Sequence, residues 1–255
     1  MSRSNRKNSS RLTNRERKRN IEDQLQNLER NQISKVEYEM NRPRFGPLNP
    51  RGENQAKALE IMNNSRLVFL TGPAGTGKSF LSTSWAVEQF LLRKVEKIVI
   101  TRPMVGCDEE IGFLPGTEQE KFAGWIGPFI DVMEGKMGKK SVETQFNIGK
   151  FIAKPLMMMR GSTFRDSIVL LDEAQNTTPS QIKMFLTRIG EGTRVIINGD
   201  VEQSDLPKGA RNGLQDALAL FKNSRHASIF EFKEHDITRD PLVREIVNIY
   251  RSRNK

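Results

Sequence analysis

The chain has 255 residues and a formal net charge of +10, and 36% of its residues are hydrophobic, which is enough for a packed α/β core. No apolar run approaches the roughly 20 residues that a membrane-spanning helix requires. With one cysteine and two histidines, the chain offers neither a disulfide scaffold nor a zinc or iron–sulfur site built on those side chains, and it fits a reducing compartment.

Residues 1–20 contain eight Lys and Arg side chains against one Glu, so most of the surplus charge lies in this stretch. Dense like charge with little apolar surface predicts a basic arm over residues 1–40, disordered to partly helical. Ile21, Leu25 and Leu28 indicate a short amphipathic helix within it. Two functions remain open for the arm: contact with the phosphate backbone of a nucleic acid, or a solvated tail.

Three prolines and two glycines in residues 41–52 predict a linker, followed by a domain over residues 53–255. In that domain short apolar runs alternate with helical segments, which is typical of a mostly parallel sheet covered by helices on both faces. The predicted strands span 67–71, 97–101, 168–171, 194–198 and 228–232. The predicted helices span 54–63, 78–92, 179–189, 209–221 and 241–251. Residues 103–165, rich in Gly and Pro, are predicted to be irregular.

A glycine-rich turn joins the first predicted strand to the next helix, and it fits the pattern G-x-x-x-x-G-K-[ST]. The turn reads Gly72, Pro73, Ala74, Gly75, Thr76, Gly77, Lys78 and Ser79. Glycines let backbone amides approach a phosphate, and a helix N-terminus favours negative charge. Lys78 is suited to the β- and γ-phosphates, and the Ser79 hydroxyl is suited to Mg²⁺. The sequence therefore predicts a phosphate-binding site here.

Two carboxylates, Asp172 and Glu173, follow the apolar strand 168–171, at the edge where ligands bind in open parallel sheets. Asp172 is placed to hold Mg²⁺ through its hydration shell, and Glu173 to orient and deprotonate a water. The second carboxylate favours hydrolysis over phosphate transfer to a small acceptor. The alternative is that Asp172 and Glu173 have a purely structural role as a buried pair that caps local backbone groups. After the strand 194–198, Gln203 is suited to sense the γ-phosphate.

Gln55 lies just ahead of the first predicted strand. Its amide could read the donor and acceptor edge of adenine, which would favour ATP over GTP. The sequence contains no guanine-reading N-K-x-D motif. A surface glutamine without a ligand is the alternative interpretation.

Together these residues resemble the PhoH-like family of P-loop ATPases, which is related to the first motor domain of superfamily-one helicases. The resemblance covers roughly residues 50–250 and includes stretches that a generic P-loop does not explain. These stretches are 101–103 (TRP), 111–116 (IGFLPG), 159–161 (MRG), 171–179 (LDEAQNTTP), 183–190 (KMFLTRIG) and 199–200 (GD) with Gln203. Two positions depart from the family pattern. Asp240 stands where a histidine is usual, and residues 106–109 read GCDE instead of EAGE.

The resemblance implies a single RecA-like P-loop NTPase domain that binds ATP and Mg²⁺ and hydrolyses ATP in the cytoplasm, or in the host cytoplasm if a phage encodes it. It also implies coupling to single-stranded RNA or DNA, and no membrane partner is expected. A helicase of the related superfamily closes its ATP cleft with a second motor domain, whereas residues 45–255 supply one. We therefore expect a homo-oligomer, with a hexamer favoured. An ATP-gated assembly or scaffold protein with little turnover is the alternative.

An arginine that stabilises transition-state charge is expected in such a site. Arg239 matches in position the arginine that contacts the γ-phosphate in the helicase relatives, and it ranks first. Arg188 could reach a neighbouring subunit or pair with the C-terminus of its own helix. Arg102 and Arg160 could contact nucleic-acid phosphate or form structural salt bridges.

Aromatic residues occur in the middle section of the chain. Trp125, Phe129 and Phe122, near Lys121, are candidates for base stacking or pore loops. Aromatic packing inside the oligomer is the alternative for these rings.

Overall fold

Six parallel strands form one sheet in the part of the chain that the structure describes. This computed structural model describes residues 41–104, 125–207 and 209–238, together with the helical positions Leu242, Ile246 and Ile249. The strands are β1 (Leu67–Thr71), β2 (Lys97–Thr101), β3 (Phe151–Ala153), β4 (Ser167–Leu171), β5 (Arg194–Gly199) and β6 (Ala227–Glu231). Their order across the sheet is β3-β2-β4-β5-β1-β6. The fold is therefore α/β and RecA-like, as the sequence predicted.

Both faces of the sheet are apolar. Along β1, Val68 and Leu70 belong to one hydrophobic core, whereas Leu67 and Phe69 belong to the other. The neighbouring strands alternate in the same way, and every residue of β4 is buried. Strands buried on both faces appear in a sequence as continuous apolar, β-branched runs. This is why the sequence predicted β1, β2, β4 and β5 to within one residue. The half-buried strand β6 was also predicted to within one residue.

Helices cover the two faces. One face carries α1 (Glu53–Asn64), α2 (Lys78–Leu91), α3 (Gly127–Met137) and α4 (Lys139–Asn147). The other face carries α5 (Pro179–Leu186) and α6 (Gly213–Phe221). Short 3₁₀ helices lie at Leu156–Met159, Ala174–Asn176 and Glu234–Asp236. None of the helices within the described ranges has the length and apolar character to cross a membrane.

The middle section contains three elements that the sequence did not predict. Residues 127–153, expected to be irregular, form α3, α4 and the edge strand β3. The sequence argues against α3 because Gly127 and Gly135 lower the helix propensity of this segment. A Cβ at Gly135 would clash with the ring of Phe45, so that ring packs closely over this position. Strand β3 has only three residues, which is too few to show a periodic pattern.

The end of α5 also differs from the prediction. The helix ends at Leu186, whereas the sequence suggested Ile189. The backbone N–H of Phe164 donates to the carbonyl of Arg188 at 2.9 Å, and that of Gly190 donates to the carbonyl of Phe164 at 2.8 Å. These bonds draw residues 188–190 into a parallel bridge instead of a further helical turn.

The start of α6 is later than predicted. The helix begins at Gly213 rather than at Gly209. Asn212 forms its N-cap, because its side-chain oxygen accepts a hydrogen bond from the backbone N–H of Gln215 at 3.0 Å.

Part of the segment predicted as a linker lies against the domain, because the compact unit begins at Pro43. The backbone N–H groups of Arg44 and Phe45 both donate to the carbonyl of Gly135, each at 2.7 Å. The predicted basic arm and most of the predicted helix 241–251 lie outside the described residues.

Candidate functional site

The predicted phosphate-binding loop runs from the carboxyl end of β1 to the first turn of α2. Gly72 has a φ of +119°, and a Cβ there would lie 2.2 Å from the carbonyl oxygen of Phe232, so only glycine fits. Gly77, with a φ of +85°, is the N-cap of the 14-residue helix α2. The N-terminus of the long helix α2 therefore faces the concave side of the loop, and an anion is favoured at such a position.

Lys78 folds back over this loop. Its Nζ donates to the carbonyl oxygens of Gly72 at 2.6 Å and Pro73 at 2.9 Å. The Thr76 hydroxyl donates to the same Pro73 carbonyl at 3.0 Å. The ammonium group is thus held by the loop whose amides are suited to bind phosphate.

Ser79 and Asp172, the two residues predicted to hold Mg²⁺, are in contact. The Ser79 hydroxyl donates to Oδ1 of Asp172 at 2.8 Å. The other carboxylate oxygen, Oδ2, accepts from Nε and Nη2 of Arg102 at 3.0 and 2.5 Å. Hydroxyl and carboxylate oxygens are the hard ligands that Mg²⁺ prefers. The residues present therefore fit this ion.

Glu173 lies two residues after the end of β4 and has a left-handed backbone conformation, with a φ of 54°. A non-glycine residue in that region is uncommon, and such positions cluster at functional sites. Its Oε2 accepts from Nε2 of Gln175 at 2.6 Å, and Oε1 of Gln175 accepts from the backbone N–H of Asp200 at 3.0 Å. Gln175 is only 3% exposed. One buried amide therefore ties the Glu173 carboxylate to the carboxyl end of β5.

These groups line one cavity of about 240 Å³. Its walls come from the phosphate-binding loop and from the carboxyl ends of β4 and β5. The lining residues are Ala74, Gly75, Gly77, Lys78, Ser79, Phe80, Asp172, Glu173, Gln175, Gly199, Asp200 and Gln203. Every residue predicted for catalysis or metal binding lies here except Arg239, which is outside the described residues. They converge because parallel strands present their carboxyl ends at the same edge of a sheet.

Gln55 lies beside the loop and does not line this cavity. Its Nε2 donates to the carbonyl of Thr76 at 3.3 Å, and its Oε1 accepts from the backbone N–H of Arg51 at 2.9 Å. The neighbouring Asn54 donates from Nδ2 to both carboxylate oxygens of Asp236, at 2.9 and 3.0 Å. Helix α1 is therefore attached both to the loop and to the segment that follows β6.

The other predicted residues lie elsewhere. Arg188 donates from Nε to the carbonyl of Met184 at 3.3 Å, which is the pairing with its own helix that one interpretation expected. Phe129 is 1% exposed in the core of the domain, so the predictions of base stacking and of subunit packing are wrong for this ring. Arg160 is exposed on the surface, and positions 121 and 122 lie outside the described residues.

Sequence reasoning missed the roles of Gln175 and Arg102 in this site. Gln175 lies two residues after Glu173, and that proximity was a usable signal. Arg102 forms a salt bridge, which was one of the two interpretations of this residue, and its partner is Asp172, the carboxylate predicted to hold Mg²⁺. Nothing in the sequence pattern places β2 next to β4, which is the pairing that brings these two residues together.

The fold and the site define a P-loop NTPase domain. The family model described as "PhoH-like protein" matches residues 47–251. The chain is 41% identical over 206 residues to Protein PhoH of Escherichia coli (strain K12), covering 80% of this chain and 58% of that protein. It is 42% identical over 200 residues to the PhoH-like protein of Bacillus subtilis (strain 168), covering 78% of this chain and 63% of that protein. The chain belongs to the PhoH-like family.

The chain spans 58% and 63% of the lengths of these two relatives. Among solved structures, the UvsW helicase from bacteriophage T4 is similar with a TM-score of 0.45 and 14% identity, covering 80% of this chain and 67% of that one. The strand order and the loop geometry define the fold class independently of this likeness.

Proposed function

We propose that this chain binds ATP together with Mg²⁺ and hydrolyses the bond to the γ-phosphate. One observation carries the proposal. Lys78, the hydrogen-bonded pair of Ser79 and Asp172, and the carboxylate of Glu173 all line the same cavity. Binding, charge neutralisation and proton transfer, the three requirements of nucleotide hydrolysis, thus each have a group in that cavity.

Each side chain has a distinct part in this proposal. Mg²⁺, when held by Ser79 and Asp172, supplies positive charge to the phosphate oxygens. When ATP binds, Nζ of Lys78 exchanges its hydrogen bonds to the carbonyls of Gly72 and Pro73 for hydrogen bonds to phosphate oxygens. Glu173, oriented by Gln175, accepts a proton from the attacking water. Gln203 lies on the exposed loop after β5, where it can contact the γ-phosphate.

Arg239 remains the proposed transition-state arginine. It directly follows Thr238, whose backbone N–H donates to the carbonyl of Gly75 in the phosphate-binding loop at 3.0 Å. That bond holds the residue before Arg239 at the phosphate-binding loop of the same subunit, and this supports our choice of Arg239. Arg188 is less suited because its guanidinium is engaged at the end of α5.

We further propose that hydrolysis is coupled to single-stranded RNA or DNA and that the protein works as a hexamer. The charge of residues 1–20 supports the coupling, because basic side chains on a nucleic acid release counterions. The rim of the cavity supports the assembly. At this rim Phe80 is 40% exposed and Gln203 is exposed as well. A neighbouring subunit could therefore pack against the rim and close the cavity during turnover.

Steady-state ATP hydrolysis at low salt with Mg²⁺, with and without single-stranded RNA and DNA, tests both parts. We expect the rate to fall at least about 100-fold in Lys78→Ala and to rise with one of the two polymers in the unchanged chain. A rate no higher than that of Lys78→Ala would contradict the ATPase. A rate that neither polymer changes would contradict the coupling alone.

An ATP-gated scaffold is the second candidate, and the bond between Thr238 and Gly75 favours it. Through this bond a nucleotide in the loop could move the segment that follows β6. Assembly size measured by light scattering, with and without ATP, separates the two candidates. A scaffold assembles with ATP and keeps doing so when Glu173→Gln has stopped turnover, whereas a motor needs turnover for its effect on nucleic acid.

A further inference from the structure

Arg102 is a nearly buried cation against the carboxylate proposed to hold the metal. The side chain of Arg102 is 14% exposed, and that of Asp172 is 3% exposed. Nε and Nη2 of Arg102 donate to a single carboxylate oxygen, Oδ2, at 3.0 and 2.5 Å. The other oxygen, Oδ1, is the one that Ser79 contacts. The two oxygens of Asp172 therefore have different environments.

The guanidinium group is fixed from two further sides. Nη1 of Arg102 donates to the backbone carbonyl of Trp125 at 2.6 Å. The guanidinium carbon lies 5.0 Å from the ring centroid of Phe129, which is buried in the core. A planar, stacked guanidinium loses little entropy when it donates hydrogen bonds. Arg102 thus has a defined orientation, which it transmits to the carboxylate of Asp172.

A carboxylate that rotates freely offers either oxygen, or both, to a cation. In Asp172 two N–H donors occupy Oδ2, so Oδ1 remains directed toward Ser79. Partners that orient a ligating carboxylate in this way typically change metal affinity by about 10- to 100-fold.

We propose that Arg102 positions Asp172 for the metal and thereby sets the Mg²⁺ dependence of nucleotide binding. This inference rests on the proposed function, in which Ser79 and Asp172 hold Mg²⁺. Arg102 itself acts through Asp172, so its removal changes the response to the ion and not the contact between the loop and the nucleotide.

Equilibrium binding of ATP to the full chain, measured in EDTA and over a series of Mg²⁺ concentrations, tests this role. Arg102→Gln should bind metal-free ATP as the unchanged chain does. The Mg²⁺ concentration at half-maximal effect should rise by about tenfold or more. Arg102→Lys keeps the charge but not the two parallel donors, so its midpoint should lie in between. If Arg102→Gln does not fold, Arg102→Lys carries the test.

Arg194→Gln is the matched control, because Nη1 of Arg194 donates to the backbone carbonyls of Met62 at 3.2 Å and Asn63 at 2.8 Å, at the opposite edge of the sheet. It should leave the Mg²⁺ midpoint unchanged. The double variant Arg102→Gln/Asp172→Asn should match Asp172→Asn alone, because the arginine acts through that carboxylate.

Three results would overturn the inference. An unchanged midpoint in Arg102→Gln would make the ion pair purely structural. A lowered midpoint would make Arg102 a competitor of the ion. Additive shifts in the double variant would place its action elsewhere than on Asp172. If Mg²⁺ did not affect ATP binding to the unchanged chain, the proposed metal site itself would be wrong, and this outcome is distinct from the other three.

Discussion

Arginine side chains have different partners at the two ends of the parallel strands, which we call the carboxyl edge and the amino edge of the sheet. At the carboxyl edge, Arg102 donates to the buried carboxylate of Asp172. At the amino edge, Nε of Arg66 donates to the carbonyl of Thr193 at 2.9 Å, and Arg194 donates to carbonyls at the end of α1. A backbone carbonyl is neutral and fixed, so an arginine bound to it ties two elements together. A carboxylate is charged and can bind a cation, so the same side chain there affects chemistry.

The largest effect is expected from Glu173→Gln at the carboxyl edge. An amide cannot accept the proton of the attacking water, and a general base typically contributes about 100- to 10,000-fold. ATP turnover should fall by that range while the affinity for ATP changes little. Turnover in single-turnover assays and ATP binding by calorimetry measure the two quantities. Turnover that persists in Glu173→Gln would place the base at another residue.

Gln175→Leu should have a smaller effect at the same edge. The change removes the buried amide that binds both Glu173 and the backbone of Asp200. Loss of such hydrogen bonds typically costs about 1.5 kcal/mol, so kcat should fall roughly tenfold. The KM for ATP should stay the same. Gln181→Leu is the control, because that amide forms the capping box with Thr178 and should affect only thermal stability. Equal losses of kcat in both variants would contradict a positioning role.

Gln55→Ala tests whether the amide beside the loop reads the base. If it does, the preference of kcat/KM for ATP over GTP should shrink by about three- to tenfold. Asn54 lies on the same helix as Gln55, so Asn54→Ala is the matched control. It removes the bonds to Asp236 and leaves Gln55 unchanged. A ratio that stays constant in Gln55→Ala would leave the residue a structural tie between α1 and Thr76.

The smallest effect is expected from Arg194→Gln at the amino edge. Loss of its two bonds to Met62 and Asn63 should lower the free energy of unfolding by about 1 to 2 kcal/mol, because each hydrogen bond typically contributes about 0.5 to 1.5 kcal/mol. Denaturant unfolding measures that change, and ATP turnover should remain at the level of the unchanged chain. A clear loss of turnover would abolish the proposed distinction between the two edges.

The strands and the geometry of the phosphate-binding loop were predictable from the sequence for different reasons. A strand buried on both faces must be apolar along its length, so β1, β2, β4 and β5 can be recognised locally. The phosphate-binding loop needs glycine at positions with positive φ, and the residue types at Gly72 and Gly77 report that need directly. Helix α3 escaped prediction because its glycines lower the local helix propensity, whereas it is held by the packing of Phe129 and Met133 against core residues that are distant in the sequence.

The sequence by itself determined the family, the α/β class and the residues of the phosphate-binding loop, because each depends on local patterns of residue type. Only the tertiary structure decided which oxygen of Asp172 contacts Ser79 and which contacts Arg102. It also decided that Gln175 joins Glu173 to β5. These contacts depend on the order of strands in the sheet, in which β4 lies between β2 and β5. Strand order is set by packing between segments far apart in the chain, and no local pattern of residues encodes it.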